Sequence, residues 1–246
     1  MALLLAALAL VQTNVADQPP AFLQVTGNAM VATPPDRVEI GYSIAGEGKT
    51  PDDASRALAA RQQAIADGLA GVLDGAAKVT TGNVELTEVR APECDLSGYG
   101  NRPRISTGAC SVIGYVATLQ GTARTSAVAK AGTAVGLAVR LGARDARVRQ
   151  FRLADPAAAM RRATAAAIAD SRAKAEAMAT AAGVRLGGVL SVTDQNQQSI
   201  DSVSADDIGS MPGVARGPVS GAVAIPLSPE PIETRARVYV RFAVVR

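Results

Sequence analysis

The chain has 246 residues, with 25 Lys and Arg against 22 Asp and Glu and a formal net charge of +3. This length allows one large domain or two small ones, and the charge is too mild for a nucleic-acid-binding surface. The absence of histidine excludes Ser–His and Cys–His nucleophiles and histidine-ligated metal sites. Apolar residues make up 48% but aromatic residues only 3%, so alanine and small aliphatic side chains must fill the interior.

Residues 1–16 have the pattern of a secretory signal. The run from Leu3 to Val11 is apolar and uncharged, and it is too short to span a bilayer as a helix. Asn14-Val15-Ala16 then offers a small-residue cleavage site, although the usual basic segment before the run is missing. We predict export, a signal peptide at residues 1–16, a mature chain from about Asp17 and no transmembrane segment. A frayed apolar N-terminus is the alternative.

Residues 22–33 and 36–46 each alternate apolar and polar side chains on either side of Pro34-Pro35-Asp36. This pattern predicts two strands joined by a tight turn. The next stretch, from Gly46 to Thr50, lies between a strand and a helix and suggests a phosphate-binding loop. That motif requires a glycine where this chain has Ser43, so we do not favour it.

A helix cap explains the same stretch better. Thr50 can accept from the first turn, Pro51 suits the first helical position, and Asp53 completes an arrangement like a capping box. We therefore predict a helix over residues 51–73. Its predicted inner face consists of Ala54, Leu58, Gln62, Ile65, Leu69 and Val72.

Residues 84–89 and 111–121 are predicted strands, and the polar loop between them contains Cys94 and Cys110. Export makes a disulfide the natural interpretation of two cysteines. Closing a loop of this size would stabilise the fold by about 3 kcal/mol. The alternative is a reactive redox pair, which we do not favour because the chain lacks a Cys-x-x-Cys motif.

Residues 125–141, rich in alanine and glycine, predict a second helix, and residues 147–153 predict a strand. The helix that follows is the best specified element of the chain. Asp155 is a good N-cap, Pro156 fits the first helical position, and Gly183 can adopt the left-handed conformation that ends a helix.

The face of this third helix that should be buried is composed mainly of alanine. Its predicted members are Met160, Thr164, Ala167, Ser171, Ala175, Met178 and Ala182. The opposite face carries Arg162, Arg172 and Glu176. Asp170 and Lys174 are spaced to form an i,i+4 ion pair on the flank. Because alanine side chains are short, the surface that packs here must approach the helix backbone closely, as a flat sheet would.

Residues 189–194 predict a strand, and residues 195–231 show little periodicity, which is typical of a functional or disordered loop. The last strand is predicted over residues 235–244. Its apolar face is Ala236, Val238, Val240, Phe242 and Val244. The opposite face carries Arg235, Arg237, Tyr239 and Arg241, whose arginines are a candidate surface for an anion or a partner. A solvated sheet face is the alternative.

Several short stretches form a recognisable series along the chain. They are Val25-Thr-Gly27 with Pro35-Asp36, the helix opening at Thr50, Ile113-Gly-Tyr115, Ala173-Lys-Ala-Glu-Ala-Met178 with Gly183-Val-Arg-Leu-Gly187, and Pro231-Ile232. In their order and spacing, these stretches resemble the SIMPL-domain family of bacterial envelope proteins. The resemblance covers residues 22–244, and the chain departs from the family in the Cys94–Cys110 loop and in residues 195–231.

The resemblance implies an exported α+β protein, either free in the periplasm or associated with the outer membrane. Some members are antigenic, some are linked to oxidative-stress tolerance, and some assemble into hollow ring-like oligomers. The family has no established catalytic residues, so the resemblance implies none for this chain.

We therefore expect an α+β fold, with a largely antiparallel sheet and about three helices packed on one face. Residues 17–246 should form one SIMPL-like domain, with room for two sub-lobes and a long irregular loop at 195–231. We expect no catalytic residue, no cofactor and no bound metal.

The leading functional hypothesis is a non-enzymatic envelope protein that acts by self-assembly or by binding an envelope protein or polymer, in envelope or oxidative-stress protection. We expect a homo-oligomer and no nucleic-acid partner. One alternative is a periplasmic binding module for a small anionic ligand or an envelope polymer. Another is a hydrolase that uses two carboxylates, drawn from Glu85, Glu88 and Glu93.

Overall fold

The computed structural model describes residues 21–75, 77–91, 94, 108–194, 202–204 and 222–245. The signal peptide predicted at residues 1–16 and most of the irregular segment predicted at residues 195–231 lie outside the described residues.

The described part of the chain combines three α-helices with two antiparallel sheets. The helices are α1 (Pro51–Val72), α2 (Ala131–Arg140) and α3 (Pro156–Ala181). The strands are β1 (Phe22–Thr33), β2 (Arg37–Gly48), β3 (Lys78–Val89), β4 (Gly114–Thr125), β5 (Ala143–Arg152), β6 (Arg185–Asp194), β7 (Ser202–Ser204) and β8 (Ile232–Val245). One sheet has the order β1-β8-β6 and the other the order β3-β4-β2-β5-β7. The predicted α+β class is confirmed.

The chain divides into two compact units. Among the described residues, the three-stranded unit comprises residues 21–30, 161–194 and 235–245, and the five-stranded unit comprises those between 31 and 160 together with 202–204 and 222–234. The boundary between them therefore falls within β1, α3 and β8. None of the helices in the described segments is both long enough and apolar enough to cross a bilayer.

In the five-stranded unit, α1 and α2 pack on one face of the sheet. The hydroxyl of Thr50 accepts from the backbone N–H of Asp53 at 3.1 Å and donates to the Asp53 carboxylate at 2.7 Å, which confirms the predicted cap. Among the predicted inner-face residues, Gln62 is only partly buried, and its amide pairs with the hydroxyl of buried Tyr42. The fully buried ones are Ala54, Leu58, Ile65 and Leu69.

In the three-stranded unit, α3 buries a face composed mainly of alanine, as the sequence predicts, although only some of the predicted residues belong to it. Gly27 of β1 explains how: a Cβ added there would lie 1.9 Å from the carbonyl oxygen of Ala167 and 2.8 Å from the Cβ of Ser171. Only a residue without a side chain allows this strand to approach the helix backbone so closely. The expectation of a close-packed alanine face is therefore confirmed.

The buried stripe of α3 differs in detail from the prediction. Its members recur at steps of four residues: Ala159, Ala163, Ala167, Ser171, Ala175 and Ala179. Met178 and Ala182 were expected inside but are exposed, Met178 to 47%. A row of i+4 positions is inclined to the helix axis, whereas the predicted set followed the axis, so the two coincide at Ala167, Ser171 and Ala175 and diverge at both ends. At the N-terminal end, the predicted members Met160 and Thr164 are only partly buried. The caps are as predicted: Asp155 accepts from the N–H of Ala158 at 2.8 Å, and Gly183 has φ +70°.

Two further differences come from tertiary pairing. Strands β1 and β2 were expected to be joined by a tight turn, and the structure places them in different sheets, so they do not form a hairpin. The second helix was predicted from Thr125 but begins at Ala131, because Thr125 still belongs to β4 and pairs with Val38 of β2.

Candidate functional site

Cys94 and Cys110 form a disulfide, with their Cα atoms 5.4 Å apart. The bridge lies in the loop between β3 and β4, whose paired residues extend to Val89 and Gly114. The two cysteines are therefore structural partners, as the sequence predicts. The connecting residues 95–107 lie outside the described part of the chain.

The predicted arginine row is on the exposed face of β8. Arg235, Arg237 and Arg241 are exposed and alternate with buried residues, as the pattern predicts. Two of them reach across to β1: the Nε of Arg237 donates to the side-chain oxygen of Asn28 at 3.0 Å, and that of Arg241 to Gln24 at 2.8 Å. The row is thus held against its neighbouring strand, and its role as an anion- or partner-binding surface stays a prediction.

The carboxylates considered for a hydrolase are not brought together. Glu85 pairs in register with Thr118 and Glu88 with Tyr115, which places them three residues apart on β3 and so on opposite faces of the sheet. Glu88 forms an ion pair with Arg90. Glu93 lies outside the described residues.

Strand β3 is the end strand of the five-stranded sheet. Its register with β4 is irregular between Thr81 and Val84 and regular from Val84 to Val89. This regular part exposes apolar side chains, since Val84 is 61% and Leu86 45% accessible, and Ile113, just before β4, is 58% accessible. Among the described residues, the outer edge of β3 has no strand partner.

The five-stranded sheet also carries a charged cluster that the sequence did not predict. It lies on the face of this sheet that points away from α1 and α2. Glu39 alternates along β2 with the core residues Val38 and Ile40 and is only 8% exposed. Its carboxylate accepts from the Nε of Arg124 at 2.9 Å and from the Gln150 amide at 3.4 Å.

Burial by itself would raise the pKa of Glu39. The hydrogen bond and the charge of Arg124, the Gln150 hydrogen bond and the charge of Arg152 outweigh it, so the pKa is lowered from its ordinary value. Glu39 is therefore an anion held within a cationic surface.

Two bulges in β5 determine which side chains reach this face. The register with β2 shifts between Glu39 and Ile40, so that Gln150 and Val148 pair with them and Arg149 is the inserted residue. Arg149 lies across Gly41, where an added Cβ would be 2.0 Å from the arginine Nε. A second shift leaves Arg144 inserted, and its guanidinium forms an ion pair with Glu47 at 2.7 Å.

We name the resulting surface the basic face. It consists of Arg37, Lys78, Arg124, Arg147, Arg149 and Arg152, which are all exposed. Glu39 is the acidic residue among them, and Asp145, Glu47 and Glu85 lie towards the other end of the same sheet surface. In the described segments, no group of three or more His, Cys, Asp or Glu side chains is placed to hold a metal ion.

Sequence reasoning missed the basic face because its members are scattered over four strands. A local signal was nevertheless present in β5. Val148 and Phe151 are both apolar but three residues apart, so strict alternation cannot place both in the core. An inserted residue between them resolves the conflict, and it would have placed Arg147, Arg149 and Arg152 together.

Comparison with known proteins agrees with the resemblance inferred from the sequence. A model of the SIMPL family, described as a protein of unknown function (DUF541), matches residues 23–242. The chain is also similar to the 26 kDa periplasmic immunogenic proteins of Brucella abortus (strain S19) and Brucella melitensis biotype 1. Each is 27% identical over 188 residues, which cover 76% of this chain and 71% of the relative. Since the family match spans most of the chain, the chain belongs to the SIMPL family.

Proposed function

We propose that this protein is an exported, non-enzymatic envelope protein that works by self-assembly through the outer edge of β3. Two similar proteins are named as periplasmic, which supports the periplasm as its location, with association to the outer membrane as a further part of the proposal. The physiological role we propose is protection of the envelope, including under oxidative stress, and it rests on the resemblance to the family alone.

The exposed edge of β3 is the observation that carries assembly. An end strand presents unpaired N–H and C=O groups that can hydrogen-bond to a strand of another chain. Many proteins protect such edges with bulges or charges, and the irregularity between Thr81 and Val84 does so for the first half of β3. The second half, from Val84 to Val89, is regular, and although it carries Glu85 and Glu88 it also exposes the apolar side chains of Val84 and Leu86. It is therefore the part suited to pairing.

Burial of these side chains supplies a driving force. Val84, Leu86 and Ile113 are each about half exposed or more. Burying each of these large aliphatic side chains contributes roughly 1–2 kcal/mol to the free energy of association. In a two-fold symmetric homodimer each side chain is buried once in each copy, so every contribution counts twice. A second copy of the chain is the partner that supplies a matching strand without requiring any other protein.

The test is the mass of the mature protein measured by light scattering over a range of concentrations. We expect a discrete oligomer for the native chain and a shift to monomer for V84K/L86K, because the substitutions place two charges on the pairing edge. Val139→Lys is the matched control: Val139 is an apolar residue of α2 that is 47% exposed, and its replacement should leave the mass unchanged.

A native protein that is monomeric at every concentration would contradict the proposal. An oligomer that survives V84K/L86K would place the interface elsewhere and contradict the role of β3. The alternative hypothesis, a binding module for a small anion or envelope polymer at Arg235, Arg237 and Arg241, would then be examined by titrating the monomer with phosphate and with an acidic polysaccharide.

A further inference from the structure

We propose that the basic face is a docking surface for an anionic lipid bilayer. The inference rests on and deepens the proposed association with the outer membrane, but it is separate from self-assembly through β3, because a monomer carries the complete surface. It also does not involve the arginine row of β8, which lies on the other sheet.

The first argument is the density of positive charge. The pairs Glu39–Arg124, Lys78–Arg124 and Arg37–Arg152 are direct neighbours in the register of four adjacent strands. Neighbouring strands lie about 4.8 Å apart, so the six basic residues occupy a strip roughly 15 Å wide. Glu39 is already engaged by Arg124 and Gln150, and it neutralises one charge of the six.

The second argument is shape. The surface is the face of a β-sheet, and its six basic side chains are all exposed to solvent. A plane of arginines on long apolar stems matches a plane of lipid phosphates, which arginine can bind in a bidentate manner. Among the described side chains of this face, the positions between the arginines hold Gly41, Thr122 and Gln150, with no large apolar group to insert into the bilayer. Binding should therefore be electrostatic and superficial.

The third argument is that the strand geometry directs charge to this surface. The bulge at Arg149 turns Val148 and Phe151 towards the core and keeps the arginines outside. Gly41 leaves room for the Arg149 side chain to lie over β2, in the middle of the strip. On a strand without the bulge, Arg149 would point into the core.

The test uses the full mature chain and sedimentation with vesicles of phosphatidylcholine, prepared with and without phosphatidylglycerol. We expect binding only to the anionic vesicles and release as salt rises, because the screening length falls from about 10 Å at 0.1 M to about 3 Å at 1 M. The R147Q/R149Q/R152Q variant should bind roughly 100-fold more weakly, since each basic residue near an anionic surface contributes about fivefold.

The matched control is R235Q/R237Q/R241Q, which removes the same number of charges from the other sheet and should retain binding. Circular dichroism and the melting temperature of both variants establish that they are folded, and the salt titration of the native chain gives a result that requires no variant. Equal loss in the two variants would show attraction by total charge alone and overturn the assignment. Salt-resistant binding, equal binding to neutral vesicles, or binding to soluble polyphosphate but not to anionic vesicles would overturn it as well.

Discussion

At the scale of single residues, Glu39 links the stability of the five-stranded sheet to the charge of its surface. The group is almost fully buried, and its hydrogen bonds to Arg124 and Gln150 stabilise the ionised form in the folded state. Since the pKa is lowered on folding, the contribution to stability is present above the ordinary value of 4.5 and is lost as the pH falls through the lower folded value.

We predict that Glu39→Gln lowers the free energy of unfolding by about 1–3 kcal/mol at neutral pH, because Arg124 and Arg152 lose the charge that offsets their repulsion. The difference from the native protein should narrow as the pH falls from about 4.5 through the lower folded pKa, because Glu39 takes up its proton in the unfolded chain first and in the folded protein only at lower pH. Urea unfolding of the native protein and of Glu39→Gln at a series of pH values measures this difference in the free energy of unfolding.

Glu47→Gln is the control on the same strand. Glu47 also pairs with an arginine, but its side chain is 65% exposed, and a surface pair contributes about 0–1 kcal/mol. A Glu39→Gln effect of the same size at all pH values would contradict the assignment of a lowered pKa.

At the scale of elements, the contact between α3 and β1 depends on the absence of a side chain at the point where the strand meets the helix. Gly27 faces the helix backbone at Ala167, and the Asp170 carboxylate accepts from the N–H of Asn28 at 2.8 Å and from Lys174 at 2.6 Å. These hydrogen bonds lower the pKa of Asp170, with the Lys174 bond as the larger cause and the Asn28 bond second. These polar contacts thus lie beside the alanine stripe and fix the position of α3 along β1.

We predict that Gly27→Ala destabilises the three-stranded unit by roughly 1–3 kcal/mol, because the new methyl group forces the strand and helix apart. The control is Gly71→Ala in α1, where a Cβ would meet nothing within 4 Å. That change should raise stability by about 0.5–1 kcal/mol through the helix preference of alanine. Thermal unfolding of both variants and of the native protein measures these changes in stability. A Gly27→Ala protein as stable as the native one would contradict the prediction, because it would show that α3 can move away from β1 without a loss of stability.

At the scale of the whole molecule, long-range connections hold the described parts of the chain together. Each unit is assembled from segments distant in sequence. Within the five-stranded unit, the Cys94–Cys110 bridge adds a covalent cross-link between residues 16 positions apart. It closes the end of the β3–β4 pair, next to the regular half of β3 to which we assign assembly.

We predict that C94S/C110S lowers the free energy of unfolding by about 3 kcal/mol, because opening a loop with a sequence separation of 16 residues restores freedom to the unfolded chain. The native protein in reductant should lose the same amount, and the double variant should not respond to reductant. Urea unfolding with and without dithiothreitol measures this, and a native protein unaffected by reduction would contradict it.

The sequence predicts local structure well and long-range pairing poorly. Thr50, Asp155 and Gly183 define helix ends through contacts within a few residues, and all three are found in their predicted roles. The separation of β1 and β2 into different sheets depends on partners more than 80 positions away, such as Arg124 opposite Glu39, with a separation of 85. No short pattern encodes such pairs, so the β3 edge, and the placement of Arg37, Lys78 and Arg124 beside the arginines of β5, appear only once the sheet order is known.

The alanine stripe of α3 also affects the entropy of folding. A buried leucine loses rotamer freedom, whereas alanine has none to lose, so this helix packs with almost no side-chain entropy cost. In return, each methyl group removes little area from water and contributes only about 0.8 kcal/mol. The stability of the contact must therefore accumulate along its length, which gives a physical reason why α3, at 26 residues, is the longest helix in the described part of the chain.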